Sequence, residues 1–301
     1  MTSRDAGRPP EPEPLPLPVV DNHVHLDLAD RSARPGDGPP APPVLDALLA
    51  AARRANVPRA VQIGCDLPSA RWTRRLLDHR PELVGGVALH PNEAARLAAE
   101  GGEAALDRAL AEIEDLLGHP RMRVVGETGL DHHRTGPEGR GAQERSFRAH
   151  IDLARRHGLA LQIHDRDAHA DVIRVLDSEG APERTVFHCF SGDAAMARLC
   201  ADRGWYLSFA GVVTFRNAEP LRAALRAVPR EVLLVETDAP FLTPHPHRGR
   251  VNASYLVPLT VRAMAEARGE DLAELCAAIT ATSEHVYGPW ATAGESAVTG
   301  T

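Results

Sequence analysis

Eight short apolar runs, each followed by a segment of helical period, constrain this chain more than any other feature of its sequence. The runs lie at roughly 19–24 (VVDNHV), 59–64 (RAVQIG), 84–89 (VGGVAL), 122–127 (MRVVGE), 159–164 (LALQIH), 185–189 (TVFHC), 205–210 (WYLSFA) and 232–236 (VLLVE). Strand and helix signals in alternation mark repeated βα units around a parallel sheet, and eight such units close a barrel. Segments such as 103–117, 140–157 and 254–267 set Leu, Ile, Val and Ala at three- and four-residue spacing, as helices of an outer ring require. The expected fold is therefore α/β, a single-domain (β/α)8 TIM barrel over residues 19–290. A doubly wound open sheet is the competitor, but no glycine-rich phosphate loop follows the first run, as its nucleotide-binding members would show.

The flanks differ from this pattern. Residues 1–18 carry six prolines among acidic and small residues, a composition expected to stay extended and disordered outside the fold. Residues 291–301 are expected to form a flexible tail. No apolar run approaches the length of a membrane span, and the N-terminus has no secretory apolar core, so a cytoplasmic location is expected. Cys65, Cys189, Cys200 and Cys276 are scattered without a CxxC pair, which argues against a zinc knuckle and a disulfide scaffold. A net charge of −7 supplies no general field for nucleic acid, so any polyanion contact depends on a local patch.

Six potential metal ligands sit where a barrel concentrates its chemistry. His23 and His25, two apart in DNHVH, leave the same face of an extended segment. Glu127 closes the fourth run, His164 the fifth and His188 the sixth, and Asp238 follows the eighth. Each alone is readily a polar cap on a strand. Together, at strand ends that converge on one mouth, four imidazoles and two carboxylates form a mixed set suited to zinc, manganese or magnesium. Clustered ionisable groups of this kind are costly unless a cation compensates them. All 34 basic residues are arginine and none is lysine. A carboxylated lysine therefore cannot bridge two ions, and Glu127, between the histidine pairs, is the best-placed carboxylate to do so.

The motifs DNHVHLD, ALHP, VVGETGLD, QIHDRDA, FHCFSG and ETDAPFLTP, in this order across residues 19–288, resemble the TatD-type deoxyribonuclease family of metal-dependent hydrolases. The resemblance implies two divalent metal ions, one held by His23, His25, Glu127 and Asp238 and the other by Glu127, His164 and His188. It also implies hydrolysis of DNA phosphodiesters, often from a 3′ end, or, as in some relatives, removal of D-amino acids from mischarged tRNA. The expected mechanism has a metal-activated water attack the scissile group while Asp238 takes its proton and Glu127 bridges the ions. The same chemistry suits a lactone or a phosphotriester.

Substrate contacts follow the same resemblance. The family's HPH after the third strand is here His90, Pro91 and Asn92; His90 is a candidate for phosphate contact or a loop histidine bonded to backbone. His132 and His133 stand where the family has an aromatic after GLD, which puts base stacking in question. Arg248 and Arg250, in HPHRGRVNASY, are candidates to clamp a phosphate or to face solvent. The Pro/Gly-rich stretch 30–43 is expected to be a lid or a tolerated surface insertion. No obligate protein partner is evident. A non-catalytic nucleic-acid module is disfavoured by the acidic balance and by 4% aromatic content, since such modules interleave aromatics with basic residues.

Overall fold

The computed structural model describes residues 7–29 and 42–290. Among these residues the strands are β1 (Val20–Val24), β2 (Arg59–Gly64), β3 (Leu83–Val87), β4 (Met122–Asp131), β5 (Ala160–Arg166), β6 (Thr185–Phe187), β7 (Tyr206–Phe209) and β8 (Leu233–Val235). The helices are α1 (Pro42–Arg54), α2 (Leu67–Leu77), α3 (Pro91–Leu116), α4 (Pro137–His157), α5 (His169–Glu179), α6 (Ala194–Asp202), α7 (Glu219–Arg226), α8 (Val257–Arg268) and α9 (Leu272–Tyr287). The strands form one sheet in chain order, β1 through β8. With a helix after each strand, this is the (β/α)8 barrel order, and the open doubly wound alternative, whose strand order reverses, is excluded.

Local chemistry sets the element ends. α2 opens on a capping box in which the Asp66 carboxylate accepts from the Ser69 N–H at 2.8 Å, supplying two of the helix's unpaired donors with partners. α4 starts with Pro137 in its first turn and stops at Gly158, whose φ of 61° is left-handed. Between them, Gln143, Phe147, His150, Ile151 and Ala154 form its buried stripe; Phe147 and Ile151 each stabilise the fold by roughly 1.5–3 kcal/mol through burial.

The contacts divide the chain into two compact units. In the first, built from residues 1–61, 192–201 and 208–283, β1 is sealed to the chain that follows β8. Val24 bridges Ala239 in parallel, and the side chain of Asn22 donates to Val235 O at 2.8 Å. Residues 7–18 pack onto this unit. Leu15 is buried, its carbonyl accepts from Asn56 Nδ2 at 2.6 Å, and the Tyr255 hydroxyl donates to Pro9 O at 2.6 Å. Proline prevents this stretch from forming a helix or a central strand, but an extended chain still offers carbonyls and one apolar side chain to the groups beneath it.

In the second unit, built from residues 62–191, 202–207 and 284–301, β3 to β6 pair in parallel. β4 runs to Asp131, four residues past the expected end at Glu127. Gly129 makes this possible. It pairs with His164 of β5 at φ 139°, and a Cβ there would lie 2.1 Å from the His164 carbonyl oxygen, so only glycine allows the strands to approach this closely. The expected lid over 30–43 falls, as far as residue 41, outside the described residues, as do residues 1–6 and the expected tail over 291–301.

Candidate metal centre

In the first unit, strand alternation puts Asp21, His23 and His25 of the β1 segment on one face, and all three are buried. The chain after β8 turns sharply at Asp238, a non-glycine residue at φ 53°, where its N–H donates to His23 O at 3.0 Å and the His25 N–H returns to Ala239 O at 2.8 Å. A left-handed backbone at a non-glycine residue persists only where its surroundings hold it. These backbone bonds supply that restraint and bring three donor atoms together. His23 Nε2 and His25 Nε2 are 3.2 Å apart, and Asp238 Oδ1 lies 3.3 Å from the second and 3.9 Å from the first.

Beneath this cluster, Asp21 accepts from the Thr237 N–H at 2.9 Å and the Thr237 hydroxyl at 2.6 Å. Burial pushes its carboxyl up to about 6, against the pull of those hydrogen bonds. Asn252 donates to Thr237 O at 2.9 Å and Phe241 O at 2.6 Å, so both sides of the Asp238 turn are tied down.

In the second unit the centre is Glu127, which is buried at the heart of β4. Its Oε1 lies 2.5 Å from His164 Nδ1, 3.2 Å from His188 Nε2 and 3.6 Å from His90 Nε2. Burial works against its charge, yet the three imidazoles hold its carboxyl well below the usual range. His164 shows the converse: burial pushes its ring down, but Glu127 and Asp131 together raise it to about 9. Cys65 Sγ also approaches Glu127 Oε2, at 3.4 Å.

The donor sets fit a divalent cation. His23, His25 and Asp238 offer ligand atoms that all lie within 4.8 Å of one another, and so do His90, Glu127 and His164. Imidazole nitrogens and carboxylate oxygens in that mixture suit zinc, manganese and related ions. His90 differs in one respect. It caps α3, its Nδ1 accepting the Asn92 N–H at 3.1 Å; with that nitrogen bare, a neutral ring carries its proton on Nε2, the atom that faces Glu127.

The remaining expected residues lie elsewhere. Arg250 donates through Nε to Gly7 O at 2.7 Å and through Nη2 to Arg8 O at 2.6 Å, so it holds the N-terminal segment. The Arg248 guanidinium lies over the Phe215 ring, 4.7 Å from its centre. His132 and His133 face Asp171 and Asp167 at 3.8 and 3.2 Å.

Asp131 escaped the sequence reading although a signal for it exists. On an extended strand Glu127, Gly129 and Asp131 share one face, so recognising that β4 continues through TGLD aims Asp131 at His164. The approach of Cys65 to Glu127 has no such signal, because that residue follows another strand, β2, and only the fold brings it near.

Comparison with known proteins shows the family. The family model described as TatD related DNase matches residues 20–288. An uncharacterized metal-dependent hydrolase TatD of Mycobacterium tuberculosis is 44% identical over 274 residues, covering 90% of this chain and 98% of its own. A protein of Citrobacter rodentium named 3'-5' ssDNA/RNA exonuclease TatD is 33% identical over 251 residues, covering 81% and 91%. Among solved structures, the TatD homolog YjjV of Escherichia coli K12 superposes with a TM-score of 0.78 at 22% identity, covering 90% of this chain and 98% of that one. An organophosphorus hydrolase of Deinococcus radiodurans superposes at 0.62 with 15% identity, covering 91% and 93%, a likeness of fold alone.

Proposed function

Because the chain belongs to the TatD-related DNase family of metal-dependent hydrolases, we propose that it removes nucleotides from the 3′ end of single-stranded DNA in the cytoplasm. The observation that carries this reading is the pair of donor clusters, each with a buried core and gathering imidazole and carboxylate atoms. The name of the Citrobacter rodentium relative supports the substrate and the polarity.

In this reading His23, His25 and Asp238 would hold one divalent ion, and Glu127, His164 and His188 would hold a second. Bound divalent ions supply an activated water and offset charge that grows on a phosphate. The chain's own residues do the rest. Asp238 accepts the proton that the attacking water gives up, its backbone turn held in place by its N–H bond to His23 O and by the Asn252 bond to Thr237 O. His90 donates from Nε2 to a phosphate oxygen. Arg248, stacked on Phe215, meets a neighbouring phosphate, while Arg250 keeps the N-terminal segment in place.

The test is a parallel assay of the metal-loaded protein on single-stranded DNA with a labelled 3′ end, on D-aminoacyl-tRNA and on a simple phosphodiester. Release of mononucleotides from the labelled end is expected. Turnover of the aminoacyl ester with no product from any DNA overturns the nuclease reading and moves the same chemistry to a carboxylic ester.

A further inference from the structure

We propose that Asp131 is a positioning residue for His164, held in register by Asn92, and that this relay decides which ring nitrogen of His164 is available to a metal ion. The proposal rests on the reading of His164 as a ligand.

The geometry sorts the Asp131 oxygens by task. Oδ1 accepts the N–H groups of His133 at 3.0 Å and Arg134 at 2.8 Å, closing the turn that ends β4. Oδ2 accepts Asn92 Nδ2 at 2.9 Å and faces His164 Nε2 at 3.4 Å. On the other side of the same imidazole, Nδ1 points at Glu127 Oε1. A carboxylate next to Nε2 keeps the proton there, and the lone pair of the neutral ring is then on Nδ1, towards Glu127. Asp131 is buried.

Asn92 cannot turn its amide round. Its Oδ1 accepts the Thr135 hydroxyl at 2.8 Å and Gln143 Nε2 at 3.5 Å, which leaves Nδ2 as the group presented to Asp131. Gln143 in turn accepts the Asp131 N–H at 3.0 Å and donates to Thr135 Oγ1 at 2.8 Å. The carboxylate is therefore fixed from the helix side as well as from its own turn, as a site residue needs if it is to orient another.

The experiment separates this role from plain support of the fold. Zn2+ affinity is measured by chelator competition, without any substrate, for the wild type, Asp131→Asn, the exchange Asn92→Asp with Asp131→Asn, and His164→Ala. Thermal unfolding is followed for each. In Asp131→Asn an amide N–H faces both Asn92 Nδ2 and His164 Nε2, so stability and affinity both fall. The exchange restores the contact between positions 92 and 131 but still presents a donor to His164 Nε2, which drives the ring proton to Nδ1.

The expected result is a Tm recovered in the exchange variant while its affinity for one zinc equivalent stays about 10- to 100-fold below wild type. The His164 ring 15N shifts of the zinc-loaded exchange variant are also expected to depart from the wild-type pattern. Recovery of affinity together with Tm makes Asp131 a structural residue only and overturns the proposal, as does an unchanged affinity in Asp131→Asn. If His164→Ala binds zinc as the wild type does, the ligand reading fails and takes this inference with it. Loss in His164→Ala but not in the exchange variant leaves the ligand reading standing alone.

Discussion

Asp238 and His23 are joined by their backbones, the Asp238 N–H donating to the His23 carbonyl at 3.0 Å, while their side chains converge on His25 Nε2. The polypeptide itself therefore assembles this ligand group, and the cost of ordering it is met during folding.

It follows that metal removal should not unfold the protein. Exhaustive chelation is expected to leave the far-UV circular dichroism unchanged. Because an ion at about 100 times its Kd stabilises by about 2.7 kcal/mol, Tm should fall by an amount on the order of 5 °C. Loss of helical signal on chelation would mean that the ions organise the site.

Asp238→Asn retains the shape of the turn but removes the proton acceptor of the proposed reaction. Turnover of a single-stranded DNA substrate is expected to fall about 10²- to 10⁴-fold in kcat, with a smaller change in KM. A fall confined to KM would assign Asp238 to binding rather than to proton transfer.

Glu127→Gln removes the charge on which His164, His188 and His90 converge. Metal analysis of the purified variant should find both ions lost. Retention of two equivalents with full turnover would overturn the role assigned to Glu127.

His150 sets an acid limit on stability. It is fully buried, its Nε2 accepts the Leu89 N–H at 3.2 Å and its Nδ1 donates to Ser146 O at 2.7 Å, so a second proton has no place. Burial lowers its pKa to about 4, against the Ser146 hydrogen bond. The unfolded chain, with an ordinary imidazole, binds more protons between pH 6.5 and 4. The stabilisation is thus complete above pH 6.5 and is lost as pH falls through that window, by about 3 kcal/mol in all. His150→Gln should flatten this slope in denaturant titrations of the metal-free protein.

Leu15→Ala tests the N-terminal segment. With Leu15 buried beside Ala55 and Asn56, the substitution is expected to cost about 2–4 kcal/mol. A change within 0.5 kcal/mol, the range usual for surface positions, would return residues 7–18 to the status of a loose extension.

How much of this was legible in the sequence depends on the range of the interaction involved. The eight strands and their buried faces follow from periodicity, which is local, and seven of them lie within about two residues of expectation. The two histidines of β1 share a face because strand alternation is local too. β4 ran longer than expected because Gly129, a residue that ordinarily weakens a strand, is here what permits close approach to His164. Proline content in residues 1–18 reads as an extended chain, and in residues 7–18 Arg250, Tyr255 and Asn56, distant in sequence, supply partners for the carbonyls. For the same reason Arg250, a plausible phosphate clamp by sequence, is occupied by backbone. The strand count and the impossibility of a lysine bridge are legible in the chain alone, since period and composition are its own properties. The fold decides which atom of His164 faces Glu127 and that Asp131 stands behind it. Those are matters of a few tenths of an ångström between residues dozens of positions apart, and no local pattern encodes them.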